Sequence, residues 1–286
     1  MKTIFKTGLF AAVAAVALMG QAAPPPPPQK AAVPAPIKLW RLDCGTVSVG
    51  DLNAFSDTMA YTGQTSELVG SCYLIKHGDT YLLWDAGLPA SMKGKALDRK
   101  AAMDATVTKT IPEQLAQLGL KPADIAMVGV SHYHFDHIGQ LDSFPGATLL
   151  IGKGDLDAAK AGAPGVNPAP FAPWIKGAAK SEGVTGDKDI FGDGSVTMID
   201  LPGHTPGHHA LLVRLKGRAF LLSGDTAHFQ ANYDTNGVPT FNYNRADTLA
   251  SLDRFKNLAK NLKATVIIQH EPADVTKLSA FPKAAE

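Results

Sequence analysis

The sequence predicts one α/β domain built of two stacked sheets with helices outside. Three observations predict it. Short strand-like apolar runs open the chain at residue 37 and return after residue 194. Helix-like stretches with a 3.6-residue apolar repeat lie between and after them. Neither an internal repeat nor a second linker divides the chain, so the runs belong to one layered core.

Taken in order, "IKLWRLDCG" (37–45), "GSCYLIKH" (70–77) and "TYLLWDAG" (80–87) read as strands, the last two joined by the turn "HGD", which predicts an antiparallel start. "TIPEQLAQLGL" (110–120) reads as a helix. It precedes "ADIAMVGVSH", whose short β-branched run suits a buried strand. "ATLLIG" is a strand and "GDLDAAKAG" a helix. Residues 163–189, rich in Pro, Gly and Ala, read as irregular, yet hold Phe171, Trp174 and Ile175, which are unusual in a solvated linker. "GSVTMIDLPG" (194–203), "HHALLVRLKG" (208–217) and "RAFLLSGD" (218–225) read as three more strands. Residues 244–262 form an amphipathic helix with Leu249, Leu252, Phe255, Leu258 and Leu262 on one stripe, leading into the strand "ATVIIQH".

The 286 residues are 45% apolar and 19% charged, an ordinary globular composition. Lys2 and Lys6 precede an apolar run from Gly8 to Met19, with small residues Gly20 and Ala22 placed for a signal peptidase. We expect a signal peptide over 1–22, because the run falls well short of the roughly 20 residues a spanning helix needs. The proline-rich 23–36 reads as a stiff spacer, and 37–286 as the working domain. The expected location is periplasmic or secreted, with no membrane insertion after cleavage. Without Lys2 and Lys6, 25 Lys and Arg face 26 Asp and Glu, a balance that offers no field for nucleic acid. Cys44 and Cys72 each fall in a strand-like run. A disulfide and two separate buried thiols both fit.

The apolar run before residue 131 is followed by "SHYHFDHIGQ", which places His132, His134, Asp136 and His137 at a strand's end. His204 in "LPGHTPGHH", Asp225 in "LLSGDTAH" and His270 in "VIIQHEP" likewise follow apolar strands. In extended chain, residues two apart project alike, so His132 and His134 can hold one ion while the following turn delivers Asp136 and His137 to another. Imidazole with carboxylate suits two Zn2+, other divalent first-row metals also being compatible. Two ions roughly 3.5–4 Å apart need a bridging group, and Asp225 suits that place. A water between them, its pKa lowered to about 7, would be the nucleophile. A closed structural zinc site does not fit, since such sites are usually four-ligand and cysteine-rich. His77 and His209 read as ordinary structural histidines.

"HYHFDH" fits the HxHxDH signature of the metallo-β-lactamase superfamily, which the chain resembles from Ile37 onward. The resemblance implies an αββα sandwich of two mixed sheets with outer helices and the metals in a cleft at one edge. It implies that His132, His134 and His204 hold one metal, that Asp136, His137 and His270 hold the other, and that Asp225 bridges. Retention of an acid at Asp225 sets the chain apart from class B β-lactamases. "SHYHFDHIG" with Phe135, "LLWDAGLP", "PGHTPGHH" and the helix running into "VIIQHEP" are similar to the N-acyl homoserine lactonase family. This similarity implies a lactone-opening hydrolase with a small-molecule substrate, acting in quorum quenching, in which Asp136 also shuttles a proton to the leaving group. Residues 48–68 would then cover the acyl chain with Phe55, Met59 and Tyr61, while Phe135, Phe171 and Trp174 are further candidates for substrate contact; for Phe55, Met59, Tyr61, Phe171 and Trp174 ordinary core filling is the alternative. His228 stands where that family carries a tyrosine, and is expected to donate to the substrate carbonyl and its oxyanion. The rival readings are a metal-dependent β-lactamase and a non-catalytic periplasmic zinc-binding protein. Nothing in the sequence sets the oligomeric state, a homodimer being one arrangement open to it.

Overall fold

The computed structural model describes residues 35–286, so the expected signal peptide and nearly all of the proline-rich spacer lie outside the described residues. Strands β1 (Ile37–Val49), β2 (Ser66–His77), β3 (Thr80–Trp84), β4 (Met103–Thr106), β5 (Ile125–Val130), β6 (Thr148–Gly152) and β7 (Ser181–Val184) form one sheet in the order β4-β1-β2-β3-β5-β6-β7. Its first half is antiparallel, and from β3 onward each pair is parallel. A two-residue turn at Gly78–Asp79 joins β2 to β3, and Gly78 takes φ +57° there, as a tight hairpin requires. Strands β8 (Lys188–Asp189), β9 (Val196–Asp200), β10 (His209–Leu215), β11 (Arg218–Leu222) and β12 (Thr265–Ile267) form the second sheet in the order β12-β11-β10-β9-β8. Only β11 and β12 run parallel in it.

Among the described residues six α-helices accompany the sheets: α1 (Ile111–Gln117), α2 (Phe135–Ile138), α3 (Lys153–Ala161), α4 (Ala172–Ile175), α5 (Gln230–Thr235) and α6 (Arg245–Leu262). Helix α1 begins with a reciprocal cap between Thr110 and Glu113. The Asn244 side chain caps α6 by accepting from the N–H groups of Ala246 and Asp247. Alternation along the strands then sorts the core into layers. Leu39, Tyr73, Leu82 and Trp84 of the first sheet meet Met198, Leu211, Val213 and Phe220 of the second. The opposite face of the first sheet, with Leu42, Leu74, Val128 and Leu149, is covered by α1, α3 and α4. Ile199, Leu212 and Leu221 on the far side of the second sheet pack on Phe255 and Ala259 of α6. This is the expected αββα sandwich. Among the described residues no helix is long and apolar enough to cross a membrane.

Three strands differ from the sequence reading. β4, β7 and β8 are two to four residues long, too short for a pattern of their own to mark them as strands, and their extended form comes from pairing with β1, β6 and β9. The segment expected to be irregular also supplies α4, and this corrects the expected role of Phe171 and Trp174. Both are buried among Leu149, Ile151 and Leu156, and the Trp174 indole donates to the Ala147 carbonyl at 2.8 Å. Pro168 and Pro173 fold their segment into a compact turn that presses these rings into the core, away from any substrate.

Cys44 and Cys72 are joined, with Cα atoms 5.8 Å apart and both residues fully buried. The bond lies against Gly87, where a Cβ would come within 2.6 Å of the Cys44 Cβ and where φ is +58°, so only glycine fits.

Phe171→Ala is expected to destabilise the fold by about 3–5 kcal/mol in denaturant unfolding while leaving the metal content of the folded fraction unchanged. A loss of metal without loss of stability would contradict its core assignment.

Candidate metal centre

The buried run of β5 ends where the Ser131 N–H donates to Asp85 Oδ1 at 2.7 Å. The chain then turns through His132 and His134 into α2, a single turn too short to hold itself. Neighbouring backbone secures it: Ala86 N–H donates to the His137 carbonyl (2.7 Å), Gly139 N–H to Gly87 (2.7 Å) and Gln140 N–H to Ala86 (3.0 Å). His204 follows β9, Asp225 follows β11 and His270 follows β12. Strand ends of both sheets therefore meet at one edge.

Two groups of donors converge there, His132, His134, His204 and Asp225 in one, Asp136, His137 and His270 in the other. His134 Nδ1 lies 2.9 Å from the Nε2 atoms of both His132 and His204. Asp225 faces both groups. Its Oδ2 is 3.6 Å from His132 Nε2 and 3.4 Å from His204 Nε2, while its Oδ1 is 3.3 Å from His137 Nε2 and 3.1 Å from His270 Nε2. Asp136 Oδ2 is 3.7 and 3.6 Å from the Nε2 atoms of His137 and His270.

A further layer fixes the rings. Asp85 accepts from His137 Nδ1–H at 3.0 Å and from the Ser131 hydroxyl at 2.9 Å, so that His137 presents Nε2 inward. Asp85 is fully buried at φ +61°, an unusual backbone for a non-glycine residue, held by its own N–H donating to Gly129 and by these side-chain bonds. His270 Nδ1–H donates to the Val69 carbonyl at 2.9 Å. His208 donates from Nδ1 to the Leu201 carbonyl and accepts the Asp225 N–H at Nε2, 2.8 Å away. Burial holds the His208 imidazole down at about 3, so it stays neutral and can accept. Asp155 accepts from Tyr133 N–H, the Thr205 hydroxyl and Gly207 N–H, tying the His132–His134 turn to the His204 turn, and burial pushes its carboxyl up to about 7.

Charge differs between the two donor groups. Burial first, then neighbouring imidazoles, keeps His132 and His204 well below the ordinary histidine value, and burial takes His134 to about 4. Burial also works against the charged form of His137 and His270, but Asp225 and Asp136 outweigh it and hold both above the ordinary value. Burial disfavours the Asp225 anion, yet His270, His137 and the other imidazoles prevail and hold its carboxyl far below the usual range.

The residues fit a pair of divalent ions. Imidazole and carboxylate are the donors such ions take, and His137 Nε2, Asp225 Oδ1 and His228 Nε2 are buried with no hydrogen-bond partner. All seven residues expected to ligate are thus gathered at one place. A cleft of about 220 Å³ opens over them, with His134, Asp136, Asp225, His228 and His270 at its floor and Val47, Phe55, Leu68, Met103, Phe135 and Phe241 on its walls.

Phe55, Phe135 and His228 therefore reach the cleft, whereas Met59 and Tyr61 do not, which corrects their expected role. Met59 sits in a tight turn at φ +57° and is 76% exposed. Tyr61 is buried against Phe229, its hydroxyl accepting from Asn232 Nδ2 at 3.1 Å, so it fastens the 50–65 loop rather than lining the site. His209 is buried and bonded to the Gly207 carbonyl, and His77 pairs with Asp193, both as structural residues. Sequence reasoning missed Asp85, His208 and Asp155. The signal for Asp85 was present in "LLWDAG", a carboxylate placed like Asp225 at the end of a buried strand.

A four-layer sandwich with a His/Asp cluster at the strand ends of both sheets defines a metal-binding α/β fold. The metallo-beta-lactamase superfamily model matches residues 65–270, and the chain belongs to that superfamily. It is similar to "N-acyl homoserine lactonase AttM" of Rhizobium radiobacter, 32% identical over 177 residues, covering 56% of this chain and 63% of that protein. The chain thus spans under two thirds of the length of the first curated relatives it matches. The protein of the same name from Rhizobium johnstonii is 28% identical over 276 residues, covering 87% of this chain and 98% of the relative. Among solved structures, an N-acyl homoserine lactone hydrolase with N-hexanoyl-L-homoserine at its metal center superposes with a TM-score of 0.74 at 21% identity, covering 88% of this chain and all of that one. AidC, a dizinc quorum-quenching lactonase, gives 0.64 at 19% identity, covering 89% and 92%. These structures share the fold.

Asp225→Ala is expected to lower occupancy of both sites in elemental analysis, and two retained ions would refute its placement between them. Cation binding must displace protons that the carboxylates hold on His137 and His270, so that ion should bind more weakly as pH falls and release protons near neutrality. The ion on His132, His134 and His204 meets neutral imidazoles and should release none. Calorimetric titration in buffers of different ionisation heat separates the two steps, and equal proton release for both would contradict this electrostatic asymmetry.

Proposed function

We propose that the protein is an exported dinuclear zinc hydrolase that opens lactone rings, with N-acyl homoserine lactones as its substrates and quorum quenching as its effect. The observation that carries this reading is Asp225, whose two oxygens face the two histidine groups at the floor of an apolar-walled cleft. Similarity to the AttM lactonases supports the choice of substrate.

Divalent ions, when bound, supply Lewis-acid polarisation of a carbonyl and lower the pKa of water toward neutrality. The chain's own residues do the rest. Phe55, Phe135, Phe241, Val47, Leu68 and Met103 offer an uncharged acyl chain a dry wall and leave the polar head to the floor. Hydrolysis adds a water oxygen to the carbonyl carbon and breaks the ring acyl–oxygen bond, leaving an alkoxide that needs a proton. Asp136 is the more accessible of the two carboxylates among the donors and lines the cleft, so it is placed to take the proton from water and pass it to that alkoxide. Asp85, by holding His137 in one tautomer, keeps this side of the floor fixed.

Export is supported by the buried Cys44–Cys72 bond, which suits a compartment where thiols stay oxidised, and by the signal-like residues 1–22.

The test offers the metal-loaded mature chain a panel of homoserine lactones of increasing acyl length beside a β-lactam, read as acid release. Lactone turnover is expected to improve with acyl length, and Phe135→Ala to erode that gain by several-fold in kcat/KM while sparing short chains. Turnover of the β-lactam alone, or no turnover with both ions bound, would overturn the reading.

A further inference from the structure

The sequence leads us to expect His228 to donate to the substrate carbonyl, and in the fold its ring lies against the donors of the metal centre. We propose that His228 is an additional imidazole donor of the metal centre, binding the ion held by His132, His134 and His204.

Its Nε2 lies 3.2 Å from Asp225 Oδ2, the same oxygen approached by His204 Nε2 at 3.4 Å and His132 Nε2 at 3.6 Å. Three imidazole nitrogens thus converge on one carboxylate oxygen, with His134 Nδ1 2.9 Å from two of them. The His228 side chain is 3% exposed and its Nε2 has no hydrogen-bond partner among the described residues. A buried, unpaired ring nitrogen is costly unless something satisfies it, and a cation among these donors would do so. The ring is also held in place. It stacks on His270 with ring centres 5.8 Å apart, meets His204 edge-on at 4.9 Å, and is boxed by Phe55 at 5.0 Å and Phe241 at 5.8 Å. Its own carbonyl accepts the His270 N–H at 3.1 Å, fixing the backbone beside a second ligand.

An imidazole in this place has a different consequence from a hydroxyl that contacts only substrate. It raises the nitrogen content around one ion and favours the borderline first-row metals that prefer imidazole over harder ions that prefer oxygen. The two ions would then differ in affinity and in spectrum, the more nitrogen-rich one being the more tightly held. The proposal rests on the two-ion reading of the site and is independent of which substrate is cleaved.

The experiment titrates metal-free wild type, His228→Phe and His228→Tyr with Co(II), following stoichiometry, affinity by chelator competition, and visible absorption. Loss of the imidazole is expected to weaken one ion by at least about tenfold and to alter its absorption, leaving the other ion unchanged. In the wild type alone, proton NMR of the Co(II) form should show one more shifted imidazole N–H than the five histidines of the two groups provide, a count that decides the matter should either variant fail to fold. Unchanged affinities and absorption in His228→Phe, or only those five shifted resonances in the wild type, would overturn the proposal. A wild type that saturates with one ion overturns the two-ion reading instead, and the proposal then depends on whether that ion's affinity and spectrum respond to His228→Phe.

Discussion

One buried carboxylate organises this molecule's working edge. Asp225 is 4% exposed and surrounded by imidazoles, an arrangement in which the anion offsets charge on both sides at once. A carboxylate can face two groups only if they sit side by side, one before each of its oxygens. That requires β5 of one sheet and β9, β11 and β12 of the other to end at the same edge. The stacking of the sheets through Leu39, Trp84, Met198 and Leu211 is thus a condition of the site as well as of the fold.

The donors are positioned by residues that never reach the cleft. Asp85, His208, Asp155 and the Val69 carbonyl each take up a ring nitrogen or backbone group and leave one chosen atom facing the centre. Their effect is orientational: with Nδ1 of His137 and of His270 committed to an acceptor, only Nε2 remains to face inward. Because α2 is a single turn, its two ligands depend on the Ala86–Gly87 backbone more than on helical bonding.

The donor set was legible because each member follows an apolar run, and such a run marks a buried strand whatever its partners. The long strands and α6 were legible for the same reason, their periodicity being a property of the segment itself. β4, β7 and β8 were not, since four residues such as Ser181–Val184 become extended only through β6 beside them. For Met59, Tyr61, Phe171 and Trp174 the sequence could not choose between substrate contact and packing, because a bulky apolar residue in a loop looks alike whether it fills a core, a cleft or a turn. Asp85 escaped notice although "WDAG" carries it openly, since nothing local in the chain says that it will meet His137 across parallel strands.

The donors of the centre come from segments far apart in the chain, from His132 to His270, and from the ends of strands in both sheets. Any ion they hold is a reversible cross-link, set beside the permanent one between Cys44 and Cys72. By mass action such a link tightens as free metal rises and slackens as it falls. The resistance of the whole fold to heat and proteolysis is therefore coupled to the trace-metal supply of its surroundings, which makes scarcity a matter of survival for the protein as well as of its chemistry.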